Sequence, residues 1–529
     1  MTADSAARPA GRLASAALVL SASFVVSRVL GLLRNVLIAD IFPRHATDAY
    51  FAAFRIPDTM YTLVSGGALA SAFIPVFAGL LEERRGREAW RVASTVINTV
   101  FLALAVFAAV AFIFAPQIMA LLLPSFAPGE LGTAVDLTRI MLLQPIFLGV
   151  QAVVASVLQS YNRFTLTAVA PLVYTIAGII GALLGRTYGV SALAWSIVVG
   201  ALAYLVVQVP GMLPELRWRP SLDWDLPATR EVLRLFIPRV IGLAAFQGML
   251  LITLFLAGRL PSGSITAINF AWVVIWAPVS ALGTAAATAI FPTLSRLHTA
   301  EDFRALRLTV HRGLRLALFL AVPAAVGLIV LRRPIVNLLF HRGNFTDLAV
   351  EQTAWALMFY ALALPALTAI EVLPRVFYAM RETVTPVRIA IVAVTIDAIL
   401  SVVFVALFPH SEGQGGLALA TAIASTLQAG WLVASLQGRL GSIGVPSLLG
   451  TLRDALLGSA AMAVVVYVVL RGLAAFIPDI GFGAFTIVVV TGGLGVLTFA
   501  WVEWLLGAPE LEQAVGMLRR RQQKSRLKL

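Results

Sequence analysis

The feature that most constrains this chain is its succession of apolar runs, each on the order of the roughly 20 residues a helix needs to cross about 30 Å of hydrocarbon. They fall near 13–39, 48–80, 92–115, 135–159, 165–185, 189–212, 232–257, 264–293, 314–331, 350–373, 386–408, 415–436, 454–470 and 482–507. This pattern predicts an all-α polytopic membrane protein with about fourteen transmembrane helices. Composition closes the other routes: 60% of the 529 residues are hydrophobic and 12% charged, which excludes both a soluble multidomain protein and a disordered chain. The first run is not read as a cleavable signal, because it carries Arg28 and Arg34 and no small-residue cleavage site precedes a soluble domain.

Several chemistries are excluded at once. The absence of cysteine removes disulfides, thiolate metal sites and thiol nucleophiles. The five histidines are scattered without metal-ligand spacing, and no phosphate-cradling GxxxxGK[ST] occurs. No metal site, resident cofactor or enzymatic nucleophile–base pair is expected. The formal charge of +13 comes from basic residues between apolar runs and in a tail, a footprint of membrane topology rather than a nucleic-acid face. With the N-terminus placed in the cytoplasm, about 27 of the 39 basic residues lie on that side, most of them in 84–91, 217–234, 296–315, 375–388, 439–453 and 519–528. Both termini are therefore expected to be cytoplasmic.

The chain also resembles itself. Residues 66–75 match 283–292, and 163–167 match 381–385, at a shared offset of about 217. Six helices separate the copies, an even number, so the halves are parallel repeats, the arrangement of transporters that bind near the midplane and alternate access. The expected organisation is a cytoplasmic N-terminus (1–12), an N-terminal six-helix lobe (13–212), a cytoplasmic linker (213–231), a C-terminal six-helix lobe (232–438), an accessory helix pair (439–507) and a basic cytoplasmic tail (508–529).

Charges within the apolar runs are costly, about 2.5–3.5 kcal/mol for an arginine at a helix centre, and so mark candidate sites. The first lobe carries Arg28, Arg34, Asp48, Arg55 and Asp58; the corresponding part of helix 8 has Trp272, Val273 and Trp276. Each charge has a bland alternative. Arg28 and Arg34 are about 240° apart on a helix, so one could snorkel or pair with Asp40. Asp48 follows Thr47 and could be a helix-start charge; Arg55 could satisfy carbonyls freed by a break at Pro57. Arginine stays charged when desolvated and binds phosphate bidentately, so an arginine-lined cleft predicts an anionic, phosphate-bearing substrate. In the second lobe Asp397 lies mid-helix with no basic neighbour and could bind Na⁺ or a proton together with Thr395 or Thr421; the alternative is a hydrogen-bonded structural acid. Pro57 with Gly66-Gly67, and Pro278 with Gly283, predict matching breaks in the two halves.

The stretches Ser27-Arg28-Val29-Leu30-Gly31-Leu32-Leu33-Arg34, Ala46-Thr47-Asp48-Ala49, Phe54-Arg55-Ile56-Pro57 and Ala72-Phe73-Ile74-Pro75 resemble the signature of the MurJ/MviN lipid II flippases of the MOP exporter superfamily. So do Tyr161-Asn162-Arg163-Phe164, Phe340-His341-Arg342-Gly343-Asn344-Phe345-Thr346 and Thr385-Pro386-Val387, in order, over about residues 20–440. The resemblance implies two six-helix lobes plus two further helices in a bacterial plasma membrane. It also implies translocation of the undecaprenyl-pyrophosphate-linked peptidoglycan precursor, lipid II, from the inner to the outer leaflet. It places Arg28, Arg34 and Asp48 on positions required in the family, around a pyrophosphate-binding cavity, with Arg55 in place of another basic residue. Partners implied are the lipid-linked substrate, membrane lipids and the cell-wall synthesis machinery; the driving force would be Na⁺, H⁺ or membrane potential.

The chain departs from the family where Tyr61-Thr62 stands in place of a usual Arg pair and Trp272-Val273 in place of a usual Asp-Arg pair. Two competing readings follow: a flippase for another polyprenyl-linked glycan, and a multidrug-type cation-coupled antiporter that would depend on Asp397 more than on the arginines.

Overall fold

The computed structural model describes residues 26–65 and 68–511. The expected N-terminal segment, the first half of the first span, the Gly66-Gly67 pair and the basic tail beyond residue 511 lie outside the described residues. All regular structure among the described residues is helical. That is the solution lipid imposes, because an open backbone N–H or C=O has no water to bond.

The chain forms two compact units, Met1–Ile265 with Gly343–Phe345, and Thr266–Arg342 with Thr346–Leu529. In the first, helix α1 spans 26–41 and is followed by α2 (Arg44–Ser65), α3 (Ala68–Glu82), α4 (Gly86–Ile113), α5 (Ala115–Leu122) and α6 (Pro128–Met141). Then come α7 (Gln144–Ser160), α8 (Phe164–Tyr188), α9 (Val190–Met212) and α10 (Pro227–Ala257). The core of this unit is aromatic and tight: Phe77 meets Trp90 and Tyr161 edge-on, at 6.3 and 5.9 Å between ring centroids. Between lipid-facing helices apolar burial gives little drive, so close approach of small residues matters more. The α8–α9 hairpin shows this. Gly189 turns it at φ +69°, and Gly200 lies against Ala177 and Tyr174.

The second unit contains α11 (Ser264–Val279), a π-helical turn at Ser280–Thr284, α12 (Ala285–Thr299), α13 (Phe303–Val330), α14 (Arg332–Phe340) and α15 (Asp347–Leu362). It continues with α16 (Leu364–Ala379), α17 (Val384–Leu407), α18 (Gly413–Leu440), α19 (Val445–Ala474) and α20 (Phe482–Leu505). The accessory pair α19–α20 packs on α13 through Phe319, Val322, Met462, Val466 and Phe499. Arg315 of α13 ties the end of the pair down, 2.5 Å from Glu510, which also accepts from Thr451 at 2.8 Å.

The duplication is visible in the backbone. The four non-glycine residues with positive φ among those described are Arg84 (59°) and Glu301 (55°), and Asn162 (60°) and Arg381 (59°). They pair at the sequence offset of the repeat. Each closes a helix in the same way: the next residue's N–H returns to Leu80, Leu297, Leu158 or Phe377, at 2.8, 3.0, 2.8 and 2.9 Å. The α4–α9 run thus recurs as α13–α18, down to the short α5 and α14 and the interruption of one span at α6–α7 and at α15–α16.

Eleven helices among the described residues are long and apolar enough to cross a bilayer, and the α15–α16 pair, bent by 50°, makes a twelfth. One expectation needs adjustment, at Pro57. The seventh predicted span is helix α10, whose first half carries Arg230, Glu231, Arg234 and Arg239 and whose residues 240–257 carry no charge. It follows the 213–231 linker and packs on α2 and α3 in the first unit, with Thr59 donating to Gln247 at 3.5 Å. The helix α2 is continuous across Pro57, so no break there frees carbonyls for Arg55.

Candidate functional site

On α1, Arg28 is exposed and Arg34 half-buried. The Arg34 side chain lies along α8 against Gly178, where a Cβ would stand 2.8 Å from its Cδ. Its Nε is buried with no hydrogen-bond partner, and no carboxylate pairs with it among the described residues. Its charge is felt by the phenols of Tyr50 and Tyr174, and Tyr174 also lies within electrostatic reach of Asp58 and Tyr61. Gln144 of α7 donates to the Tyr174 hydroxyl at 2.9 Å, while the other face of its amide, Oε1, is buried without a partner. Tyr204 of α9 packs beside Tyr174, 6.5 Å between centroids. One turn along α2, Arg55 stands 3.9 Å from Asp58 with both side chains partly exposed.

A guanidinium so placed has desolvation to compensate and no carboxylate partner among the described residues to do it. The phenols of Tyr50 and Tyr174, with Gln144 bonded to Tyr174, add polar groups beside it. Arg34, Arg55 and Asp58 were visible in the sequence as charges in apolar runs. Tyr50, Tyr174, Tyr204 and Gln144 were not. Their only signal was a polar atom in an apolar stretch, which interfacial anchors share.

Asp48 occupies a different place. It is 2% exposed, and its Oδ2 accepts the Gly263 N–H at 2.5 Å. Gly263 has φ +97°, so the carboxylate fixes the turn that opens α11. Asp40 at the end of α1 is likewise engaged. Its carboxylate meets Arg186 at 3.2 Å, which replaces the pairing with Arg28 or Arg34 considered from sequence. Its carbonyl accepts the Asn344 N–H at 2.9 Å, and Asn344 Nδ2 donates to the Ile41 carbonyl at 2.8 Å. Gly343, at φ +56°, makes this possible, because a Cβ there would collide with Asp40.

In the second unit Trp272, Trp276 and Tyr360 form an aromatic group, with centroids 5.3 Å apart along each contact. The expected break after Pro278 takes the form of the π turn. Arg375 caps it, donating to the Thr284 carbonyl at 3.2 Å and to Thr288 Oγ1 at 2.8 Å, while Glu371 accepts from Thr284 Oγ1 at 2.9 Å. Asp397 is 4% exposed and lies near Ser401 Oγ (3.3 Å) and Thr421 Oγ1 (3.3 and 3.5 Å to its two oxygens). Thr395, the other hydroxyl considered, is exposed and bonds the Ile391 carbonyl instead. Among the described residues no three His, Cys, Asp or Glu side chains converge as a metal site.

A duplicated all-helical membrane fold with an uncompensated arginine among phenols in one half and a hydroxyl-ringed acid in the other defines a transporter class. The comparisons with known proteins agree on the fold. A solved structure described as lipid II flippase MurJ in an inward closed conformation superposes with a TM-score of 0.79 at 23% identity, over 92% of this chain and 98% of that one. An inward-facing multidrug resistance MATE transporter of the MOP superfamily gives 0.69 at 13% identity, over 79% and 96%. The family model for lipid II flippase MurJ matches residues 38–485. The lipid II flippase MurJ of Burkholderia cenocepacia is 32% identical over 436 residues, 80% of this chain and 84% of that protein. The probable lipid II flippase MurJ of Vibrio cholerae is 30% identical over 431 residues, 79% and 81% of the two chains. The chain belongs to the lipid II flippase MurJ family, and it is a multi-pass membrane protein.

Proposed function

We propose that the protein moves lipid II from the inner to the outer leaflet of a bacterial plasma membrane by alternating access, without covalent chemistry, and so supplies cell-wall synthesis. Both termini are cytoplasmic in this reading, following the Lys/Arg bias. The observation that carries it, beside family membership, is Arg34: a partly buried guanidinium with no carboxylate partner among the described residues, beside the phenols of Tyr50 and Tyr174, suits a diphosphate that arrives and leaves. Arg28 and Arg55 extend the cationic surface, and Asp48 acts by holding the α11 turn. Asp397 with Ser401 and Thr421 is the proposed coupling site, for Na⁺ or a proton. A carboxylate and two hydroxyls supply hard oxygen donors.

Complementation of a strain depleted of its own lipid II flippase tests this. Growth restored by the chain and lost with Arg34→Ala at equal membrane expression is the expected outcome. Failure of the unmodified chain despite good expression would sink it. The second reading, another polyprenyl-linked glycan, is favoured by one observation. Thr62 and Val273 stand where the family usually has arginines, and Trp272 beside Val273 is stacked on Trp276. A chain that fails with lipid II but transports a different lipid-linked oligosaccharide would meet that reading.

A further inference from the structure

A cavity of about 580 Å³ in the second unit lies where α13 and α19 end. Part of its lining is apolar: Ile329, Val330 and Leu470 half-buried, with Ala474 and Ile480 exposed. Three arginines stand around it. Arg333 is committed to Glu351 at 2.7 Å. Arg332, just past the end of α13, donates to the Ile329 carbonyl at 2.8 Å. Arg471, in the last turn of α19, donates to the Tyr467 hydroxyl at 3.1 Å. Neither Arg332 nor Arg471 has a carboxylate partner among the described residues.

The floor is polar and incompletely bonded. Asn337 is 5% exposed; its Nδ2 donates to Asp479 at 3.0 Å, but its Oδ1 is buried without a partner, as is Asp479 Oδ1. His341, 3.7 Å from Asp347, completes the lining. A water-filled anion pocket needs no apolar wall, and a hydrocarbon crevice needs no arginines. This cavity has both, together with buried acceptors that ask for a hydroxyl donor. Its mouth adjoins the lipid-facing side of α19, where Val464, Tyr467 and Val468 are 64, 50 and 62% exposed.

We propose that this cavity binds the head group of an anionic glycerophospholipid. Arg332 and Arg471 hold the phosphodiester, the Asn337 amide oxygen accepts a head-group hydroxyl, and the acyl chains run along α19. Guanidinium–phosphate pairing at the end of two spans supplies the charge recognition. The hydroxyl acceptor selects a glycerol-type head over a choline one. The bound lipid would fasten the accessory pair α19–α20 to α13 at the end opposite the Arg315–Glu510 pair.

The test is native mass spectrometry of the full chain in detergent with dioleoyl phosphatidylglycerol, phosphatidylcholine and phosphatidylmethanol of equal chain length. Phosphatidylglycerol should be retained roughly tenfold over phosphatidylcholine, a difference of about 1.4 kcal/mol. Arg332→Gln/Arg471→Gln should reduce that ratio to near one, while unfolding without lipid is unchanged. If the double variant does not fold, Arg471→Gln alone, on the exposed end of α19, should lower it severalfold. Phosphatidylmethanol, equal in charge but lacking hydroxyls, should bind less well to the unmodified chain and no differently to Asn337→Leu. Soluble glycerol phosphate should not displace the lipid; displacement would assign the cavity to a free phosphate ester and overturn the lipid reading. Equal retention of phosphatidylglycerol and phosphatidylcholine, or a ratio unaffected by the arginine substitutions, would overturn the site itself.

Discussion

Gly178 offers a way to move Arg34 without touching any charge. The residue is buried within α8, and a methyl group there would stand 2.8 Å from Arg34 Cδ. Ordinary contact begins at 3.4 Å, so the arginine stem must retreat by several tenths of an ångström at Cδ, and its guanidinium swings further. Helix propensity acts the other way: Gly→Ala in a helix interior gains about 0.5–1 kcal/mol. Stability and function are thus expected to separate in Gly178→Ala. The purified protein should melt no lower than the parent, within about 1 kcal/mol. Transport should fall by about tenfold, since displacements near 1 Å in a positioned site carry penalties of that order or more.

The assay is growth rescue of a flippase-depleted strain at titrated, matched expression, followed by leaflet accessibility of the lipid precursor in proteoliposomes. The double variant Gly178→Ala/Arg34→Ala should be no worse than Arg34→Ala alone, because the two act through one group. Normal transport by Gly178→Ala, with Arg34→Ala inactive, would refute the claim that the position of the guanidinium matters. A loss of stability beyond about 2 kcal/mol would refute the packing argument instead.

Three further outcomes follow from the geometry. Asp48→Ala leaves the Gly263 N–H unsatisfied and removes a charge-assisted bond, so stability should fall by about 1.5–3 kcal/mol, with faster proteolysis in the 258–264 turn. Asp48→Asn should recover part of that loss. Thr421→Val removes one hydroxyl from Asp397 while keeping volume, and should raise the Na⁺ concentration, or shift the pH, at which transport is half-maximal; unaltered ion dependence would remove Asp397 from coupling. Glu382, ahead of α17, accepts the backbone N–H groups of Thr385 and Val384 and pairs with Arg439 at 2.5 Å, and these bonds, Thr385 first, hold its carboxyl below the ordinary 4.5. A lowered carboxylate stabilises the fold above its unfolded value and loses that contribution as pH falls through the lowered one. The melting difference between parent and Glu382→Gln should therefore be full at neutral pH and vanish at strongly acid pH.

How much of this was legible in the sequence varied with the physics. The spans were, because twenty consecutive apolar residues leave the backbone one option. The duplication was too, from 66–75 against 283–292, yet its sharpest mark, the left-handed Arg84, Asn162, Glu301 and Arg381, is conformational, and of the four only Asn162 is a residue type enriched at such angles. Arg34 announced itself as a charge in an apolar helix, but which neighbours surround it depends on the crossing of α1 with α8, set by contacts far apart in the chain. Asp48 illustrates the limit. A charge at a helix start reads the same whether it faces a ligand, caps its own helix or grips Gly263, more than 200 residues on.

Both halves use one tether in opposite polarity. In the first, Arg163 at the α7–α8 turn meets Glu215 beyond α9 at 2.6 Å; in the second, Glu382 at the α16–α17 turn meets Arg439 at the end of α18 at 2.5 Å. Each pair ties a turn to the last helix of its own six, so the constraint survived duplication while the charges exchanged places. The framework was thus held to a geometry and not to particular residues. The Arg34–Tyr174–Arg55 group was treated otherwise: its region of the second half became Trp272, Val273 and Trp276, with no cation. A symmetric frame with one cationic half suits a substrate charged at one end and apolar over the rest. Restoring symmetry by Val273→Arg should therefore alter which head group is carried before it alters whether the protein folds, and head-group competition in proteoliposomes would detect it.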